Sequence, residues 1–266
     1  MSGLVAERRT NNKTNQIQVT ATFYPLGEFA KQIGGNFVEV TTLTPPGVEP
    51  HDFEPTPQDL EKVYKSKVFI YNGAGFEPWV NRILPDLKTN GVIAVNASTG
   101  IDIKNNDPHV WLDPILAKIE MGNISQGLMN FIPTNAQKPL IQLDELNKEF
   151  EAGLKNCQIR QFVTSHQAFR YLAARYNLEE KEISGLTPDE EPSPKKMAEL
   201  SSFIKDNKIK YIFFEKLVSP KLADTLAKET GSKTLVLDPI EGFDGKDYIS
   251  VQRQNLLNLR QALICN

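Results

Sequence analysis

Hydrophobic and polar positions change period several times along the chain, and each change marks an element. Ile17-Gln-Val-Thr-Ala-Thr22 alternates with period two and predicts a strand, while Pro25 to Ile33 shows the three- and four-residue spacing of a helix that stops at Gly34-Gly35. β-Branched residues over Phe37 to Leu43 predict a second strand. Pro45-Pro46-Gly47 breaks it and stiffens the loop that runs to Thr56-Pro57, where a new helix opens. Val68-Phe-Ile-Tyr71 reads as a short buried strand, Gly73-Ala-Gly75 as the turn after it, Phe76 to Leu87 as a helix and Val92 to Asn96 as the next strand. Strands alternating with helices imply parallel βαβ units, whose ligands bind beyond the carboxyl ends of the strands.

The period changes in the middle of the chain. Pro114 to Phe131 and Thr134 to about Lys155 are two successive helical patterns with no strand between them. On the second, Leu140, Leu143, Leu146, Phe150 and Leu154 line one side and Asp144, Glu145, Lys148 and Glu149 the other. At about 1.5 Å per residue it would be roughly 33 Å long, suited to a strut between two lobes. Alternation then resumes: strand Ile159 to Thr164, helix His166 to Tyr176, short strand Glu182 to Ser184, and a loop from Gly185 ending at a Ser193 N-cap. A helix to about Asn207, strand Tyr211 to Phe214, helix Pro220 to Thr230, strand Thr234 to Leu237 and helix Tyr248 to Ile264 complete the chain. The expected class is α/β, with lobes over residues 17–132 and 157–266 joined by a helix within 133–156. Residues 1–16 are too polar to bury a surface and predict a disordered leader or tether; Arg8-Arg9 is followed by no apolar core, so this stretch is not a signal peptide as it stands.

Composition narrows the function without naming it. With 40% hydrophobic and 24% charged residues and no apolar run near about 18 residues, a membrane-spanning helix is excluded. A net charge of -3 with no basic stripe argues against nucleic acid as a partner. The chain holds only three histidines, and all stand where an element closes or opens: His51 beyond the proline-stiffened loop, His109 in Asp107-Pro-His-Val-Trp-Leu-Asp-Pro114, and His166 directly after a predicted strand. Asp238 follows the last strand in the same way. Three neutral imidazoles and one carboxylate make the four-donor nitrogen and oxygen set that zinc favours, whereas a second carboxylate in place of a histidine would move preference toward manganese or iron.

A single histidine at a strand end is more often structural than a ligand; three of three in corresponding places reverse that weighting. No short motif establishes the site, because the linear spacings are wide. Glu49 is a competing oxygen donor, and Asp107 and Asp113 are expected as loop caps or as partners that hold an imidazole tautomer. Gly73-Ala-Gly75 resembles half of a phosphate-binding loop but lacks the remainder, so a tight turn is the better reading. Cys157 and Cys265 lie at the start and end of the second half, where domain termini often meet; in an exported protein they are expected to pair, the alternative being two free thiols. Neither CxxC nor a Cys/His cluster is present, so a cysteine metal site is not expected.

With these residues assembled, the chain resembles the solute-binding proteins of zinc and manganese ABC importers, also called cluster A-I or cluster 9 binding proteins. The resemblance runs from about Ile17 to the C-terminus. It is carried by the stretch from Pro46 to Pro57 around His51, by Asn72-Gly-Ala-Gly-Phe-Glu-Pro-Trp79, by Asp107 to Pro114, by Val163-Thr-Ser-His-Gln-Ala-Phe169, by Glu191-Pro-Ser-Pro194 and by Val236-Leu-Asp-Pro239. It implies two chelatase-like lobes, each a mostly parallel sheet flanked by helices, joined by a long backbone helix. It further implies a metal ion held between them by His51, His109, His166 and Asp238. A histidine at the third position resembles the zinc-binding members, so Zn2+ is expected as transported ligand, with manganese or iron as the alternative. The implied partner is the membrane permease of an ABC importer. The implied protein is a monomer working in the periplasm or another extracytoplasmic space, with its targeting segment absent from this chain. No catalysis is expected; the rival from another class, a mononuclear zinc hydrolase, would need an open coordination position and a general base, and the chain has no HExxH. Many zinc members carry a His- and acid-rich loop before the second ligand, but here only Ile101 to Asp107 stands in that place, so an auxiliary metal-collecting role is not expected.

Overall fold

The computed structural model describes residues 16–266, so the leader read over residues 1–16 lies, apart from Gln16, outside the described residues. Eight strands among the described residues form two wholly parallel sheets. In the first, β1 (Ile17–Ala21), β2 (Val38–Thr42), β3 (Val68–Tyr71) and β4 (Ile93–Asn96) lie in the order β2-β1-β3-β4. In the second, β5 (Gln161–Thr164), β6 (Glu179–Glu182), β7 (Tyr211–Phe214) and β8 (Lys233–Val236) lie in the order β6-β5-β7-β8. Counted from the first strand of each lobe, the two orders are the same. Each sheet therefore reverses its winding direction once, between β1 and β3 and between β5 and β7, which is where parallel sheets open a crevice at their carboxyl ends.

Helices α1 (Tyr24–Gly34), α2 (Pro57–Lys65), α3 (Val80–Thr89) and α4 (Pro114–Leu128) serve the first sheet. Helices α6 (Arg170–Arg175), α7 (Pro194–Asp206), α8 (Lys221–Thr230) and α9 (Tyr248–Leu263) serve the second, with α5 (Gln137–Leu154) between the two sets. None of them is long and apolar enough to cross a membrane. Local chemistry explains several starts. Thr56 and Asp59 form a reciprocal capping box on α2, and the Ser193 hydroxyl accepts the Lys196 amide to open α7.

α5 is the expected strut, at 18 residues and about 27 Å. It is shorter than its periodicity suggested because the chain before it is held elsewhere: the Asn135 amide donates to the Ile33 carbonyl at the end of α1. Its buried face, Leu143, Leu146, Phe150 and Leu154, packs against α4 on one side and α9 on the other. One apolar core therefore runs without a break from Val19 and Ala21 in β1 to Leu259 and Leu263 in α9. The Cys157–Cys265 disulfide ties the end of α9 back to the start of the second lobe across 108 residues of chain, a closure that contributes about 4 to 5 kcal/mol on a chain-entropy basis.

The strand expected over Glu182 to Ser184 lies earlier, at Glu179–Glu182, where it pairs with β5, and two helices begin later than the periodicity suggests. α3 begins at Val80, not Phe76, because the buried Glu77 carboxylate reaches back to accept the amides of Asn72 (2.8 Å) and Gly73 (3.1 Å) and the Thr22 hydroxyl (2.6 Å). Gly73, Ala74 and Gly75 all take positive φ in the resulting turn. α6 begins at Arg170 because the segment after His166 is pinned sideways, Gln167 N–H to the Gly185 carbonyl and Phe169 N–H to the Glu180 carboxylate.

The lobes are also joined through Trp111, which is fully buried. Its indole N–H donates to the Pro239 carbonyl (2.7 Å), and its own carbonyl accepts the Tyr248 hydroxyl (2.5 Å). Trp111→Phe removes the first bond and leaves a buried carbonyl without a donor, so stability should fall by about 1–3 kcal/mol. Urea unfolding measures this, and an unchanged midpoint would show that the contact between lobes carries no weight.

Candidate metal centre

Each histidine is set by its own stretch of backbone. His51 sits in a single 3-10 turn, Pro50–Asp52, capped by Glu49, whose Oε1 accepts the His51 N–H at 3.3 Å. The His51 ring packs edge-on against Phe76, with ring centres 4.8 Å apart. His109, fully buried, lies in the connection from β4 to α4. Asp107 Oδ1 accepts both its backbone N–H (3.0 Å) and its Nδ1–H (2.7 Å), and Asn72 Nδ2 donates to the Pro108 carbonyl (3.0 Å). His166, also fully buried, follows β5, and its Nδ1–H donates to Glu215 Oε1 (2.8 Å). With their ring protons held on Nδ1 by carboxylates, His109 and His166 present Nε2 as an open lone pair.

Those lone pairs converge. Nε2 of His109 lies 3.1 Å from Nε2 of His51 and 3.2 Å from Nε2 of His166. Oε1 of Glu241 lies 3.3, 3.5 and 3.6 Å from the Nε2 atoms of His51, His109 and His166. A tetrahedron of donors about 2.0–2.1 Å from a central zinc ion has edges of about 3.3–3.4 Å. Five edges of this group therefore lie within about 0.3 Å of the length that such an ion requires. Three imidazole lone pairs and a carboxylate at these separations repel one another unless a cation or shared protons lie between them.

Charge is arranged to suit. Burial opposes protonation of His109, but hydrogen bonds to Asp107 and Glu241 outweigh it and hold the imidazole above its ordinary value. Burial acts the same way on His166, where the Glu215 and Glu241 carboxylates prevail and hold it well above. Glu241 is 1% exposed; burial pushes its pKa up, yet bonds to the three imidazoles hold it well below the ordinary carboxylate range. Glu49, pushed up to about 8 by burial and then by the neighbouring Glu241 charge, stands beside the group and caps the His51 turn.

The structure brings His51, His109 and His166 together as their positions suggested, but Asp238 does not join them; Glu241 stands in that place. β8 ends at Val236, and the chain then turns on itself. Asp238 Oδ1 accepts the Ile240 amide at 2.8 Å, Ile240 takes a left-handed φ of 59°, and Asp238 Oδ2 faces Lys216 Nζ at 3.2 Å. That turn directs Asp238 outward to Lys216 and Glu241 inward. Of the two acids flanking His109, Asp107 holds the ring, whereas Asp113 caps α4 through the Ile115 amide and pairs with Arg175. Glu215 has no sequence signal: it follows an apolar strand and resembles any acid at a loop start.

The family described as zinc-uptake complex component A, periplasmic, matches residues 19–262. The chain is 36% identical to the high-affinity zinc uptake system protein ZnuA of Bacillus subtilis, over 96% of this chain and 90% of that protein. It is 37% identical to the zinc-binding protein AdcA of Streptococcus pyogenes over 92% of its length, but spans only 56% of that longer protein. Among solved structures, the laminin-binding protein Lmb of Streptococcus agalactiae superposes with a TM-score of 0.87 at 34% identity, covering 93% of this chain and 99% of that one. The Zn(II)-bound ZnuA-like domain of Streptococcus pneumoniae AdcA superposes with a TM-score of 0.81 at 36% identity, with the same coverage.

Proposed function

Since the chain belongs to the family of periplasmic zinc-uptake complex component A proteins, we propose that it captures one zinc ion and delivers it to the permease of an ABC importer. His51 and His109 from the first lobe and His166 and Glu241 from the second are the ligands of this reading. The observation that carries it is the convergence of their four donor atoms, five of whose separations are 3.1–3.6 Å. An N3O set at those distances favours zinc over the harder, higher-coordinate dications that prefer more oxygen. The ion is cargo: Glu241 takes the fourth position, which leaves no open site for the activated water that a hydrolase needs. Residues 17–132 and 157–266 act as the two halves of the clasp, with α5 as the brace in 133–156. The protein acts as a monomer outside the cytoplasmic membrane, where an importer meets its cargo.

Titration of metal-free protein with zinc at pH 7.5, in competition with a chelator, should give one ion per chain. Zinc should displace manganese when both are supplied at equal concentration. Absence of binding, or manganese holding its place against zinc, would refute this function.

A further inference from the structure

We propose that Glu215 is a positioning residue for metal capture, fixing the His166 ring with its Nε2 toward the ion and strengthening it as a donor. This rests on the zinc-binding reading above. Glu215 directly follows β7, the strand beside β5, and β5 leads into His166; the two residues are 49 apart in sequence yet meet where the second sheet reverses direction. One carboxylate oxygen, Oε1, accepts both the backbone N–H (3.2 Å) and the ring Nδ1–H (2.8 Å) of His166, so it sets the backbone and the ring of the same residue together. Asp107 serves His109 from two residues away on one loop; Glu215 instead anchors its ring to a second strand of the sheet.

The carboxylate is a poor choice if its task is to hold the fold. It is 3% exposed, and Oε2 is buried with no hydrogen-bond partner. A buried acid with an unused oxygen is costly to desolvate, and a neutral acceptor would satisfy the two His166 N–H groups without that cost. Its negative charge has value chiefly to a cation, reached through the imidazole: an acceptor on Nδ1 raises the basicity of Nε2 and removes the other tautomer. A merely structural residue would affect stability without altering the ligand field at a bound ion, which a positioning residue must alter.

Glu215→Gln keeps an oxygen that can accept both His166 N–H groups but removes the charge, and Glu215→Leu removes both. Zinc affinity should fall by about 10–100-fold in Glu215→Leu, with Glu215→Gln between it and the unmodified protein. The metal-free midpoint should fall in Glu215→Leu, which leaves two buried N–H groups of His166 without an acceptor, and fall less in Glu215→Gln, whose amide oxygen still accepts them. The visible absorption of the Co2+-loaded Glu215→Leu protein should change, reporting an altered ligand field. Unchanged affinity and Co2+ spectrum in both variants would overturn the proposal, as would affinity lost with the Co2+ spectrum unchanged. If Glu215→Leu does not fold, Glu215→Gln decides by the same readouts. Failure of the unmodified protein to bind zinc would instead remove the proposed function itself.

Discussion

Glu241→Ala is expected to weaken zinc binding by more than about 100-fold, because outer partners of a ligand alone are typically worth 10–100-fold and this change removes a donor outright. It also removes the sole carboxylate among the four, so the dication loses its charge partner as well as a bond. Asp238→Asn is expected to leave the affinity close to unchanged. Its amide oxygen can still accept the Ile240 N–H, and the lost ion pair is with Lys216, whose side chain is 44% exposed and also pairs with Asp244. A screened pair of that kind is worth less than about 1 kcal/mol. Competitive zinc titration of the two variants separates the acids; the reverse order of effects would return the fourth position to Asp238.

Acidification should move the two states of the protein in opposite directions. Protons and zinc compete for the same Nε2 atoms, and His109 and His166 both titrate above the ordinary imidazole value. Each proton displaced on binding makes affinity fall up to about tenfold per pH unit once pH is below that group's pKa, so between pH 7.5 and 5.5 the loss should reach several orders of magnitude. The metal-free protein should behave conversely. A raised folded pKa means that the folded form holds a proton the unfolded chain has released, so stability is full below the unfolded value and lost as pH rises through the folded one. This applies to His109 and His166. It applies equally to Glu49, raised to about 8 by burial first, and to Glu77 and Glu180, each raised to about 7 chiefly by burial. Glu241 has the opposite sign, but its depressed pKa confines its loss to pH below the ordinary carboxylate range. Thermal unfolding with and without saturating zinc from pH 5.5 to 8 should show the metal-free midpoint falling and the zinc-induced increment growing as pH rises. A metal-free midpoint that climbs with pH would contradict the assignment of these buried groups.

The parts of this site that could be read from the chain were those with a local cause. Histidine is rare here, and each of the three stands beside a feature with its own signature: a Pro-Pro-Gly break before His51, a proline on either side of the His109 stretch, a β-branched strand running into His166. Asp107 could be weighed as a ring partner because it lies two residues from His109. Acids offered no such contrast. The chain has 33 of them, and neither Glu215 nor Glu241 differs in its neighbours from acids that merely face solvent.

Period and punctuation alone determined the alternation of strands and helices, the paired helices that interrupt it, the caps at Thr56 and Ser193, and three imidazoles placed at element ends. Those features depend on residues within a turn or two of one another, so the chain states them locally. The tertiary structure alone decided which carboxylate closes the tetrahedron and which one steadies His166. Both choices depend on distances between segments brought together by folding, and in the first case on a single left-handed residue, Ile240, that turns Asp238 toward Lys216 and Glu241 toward the three rings.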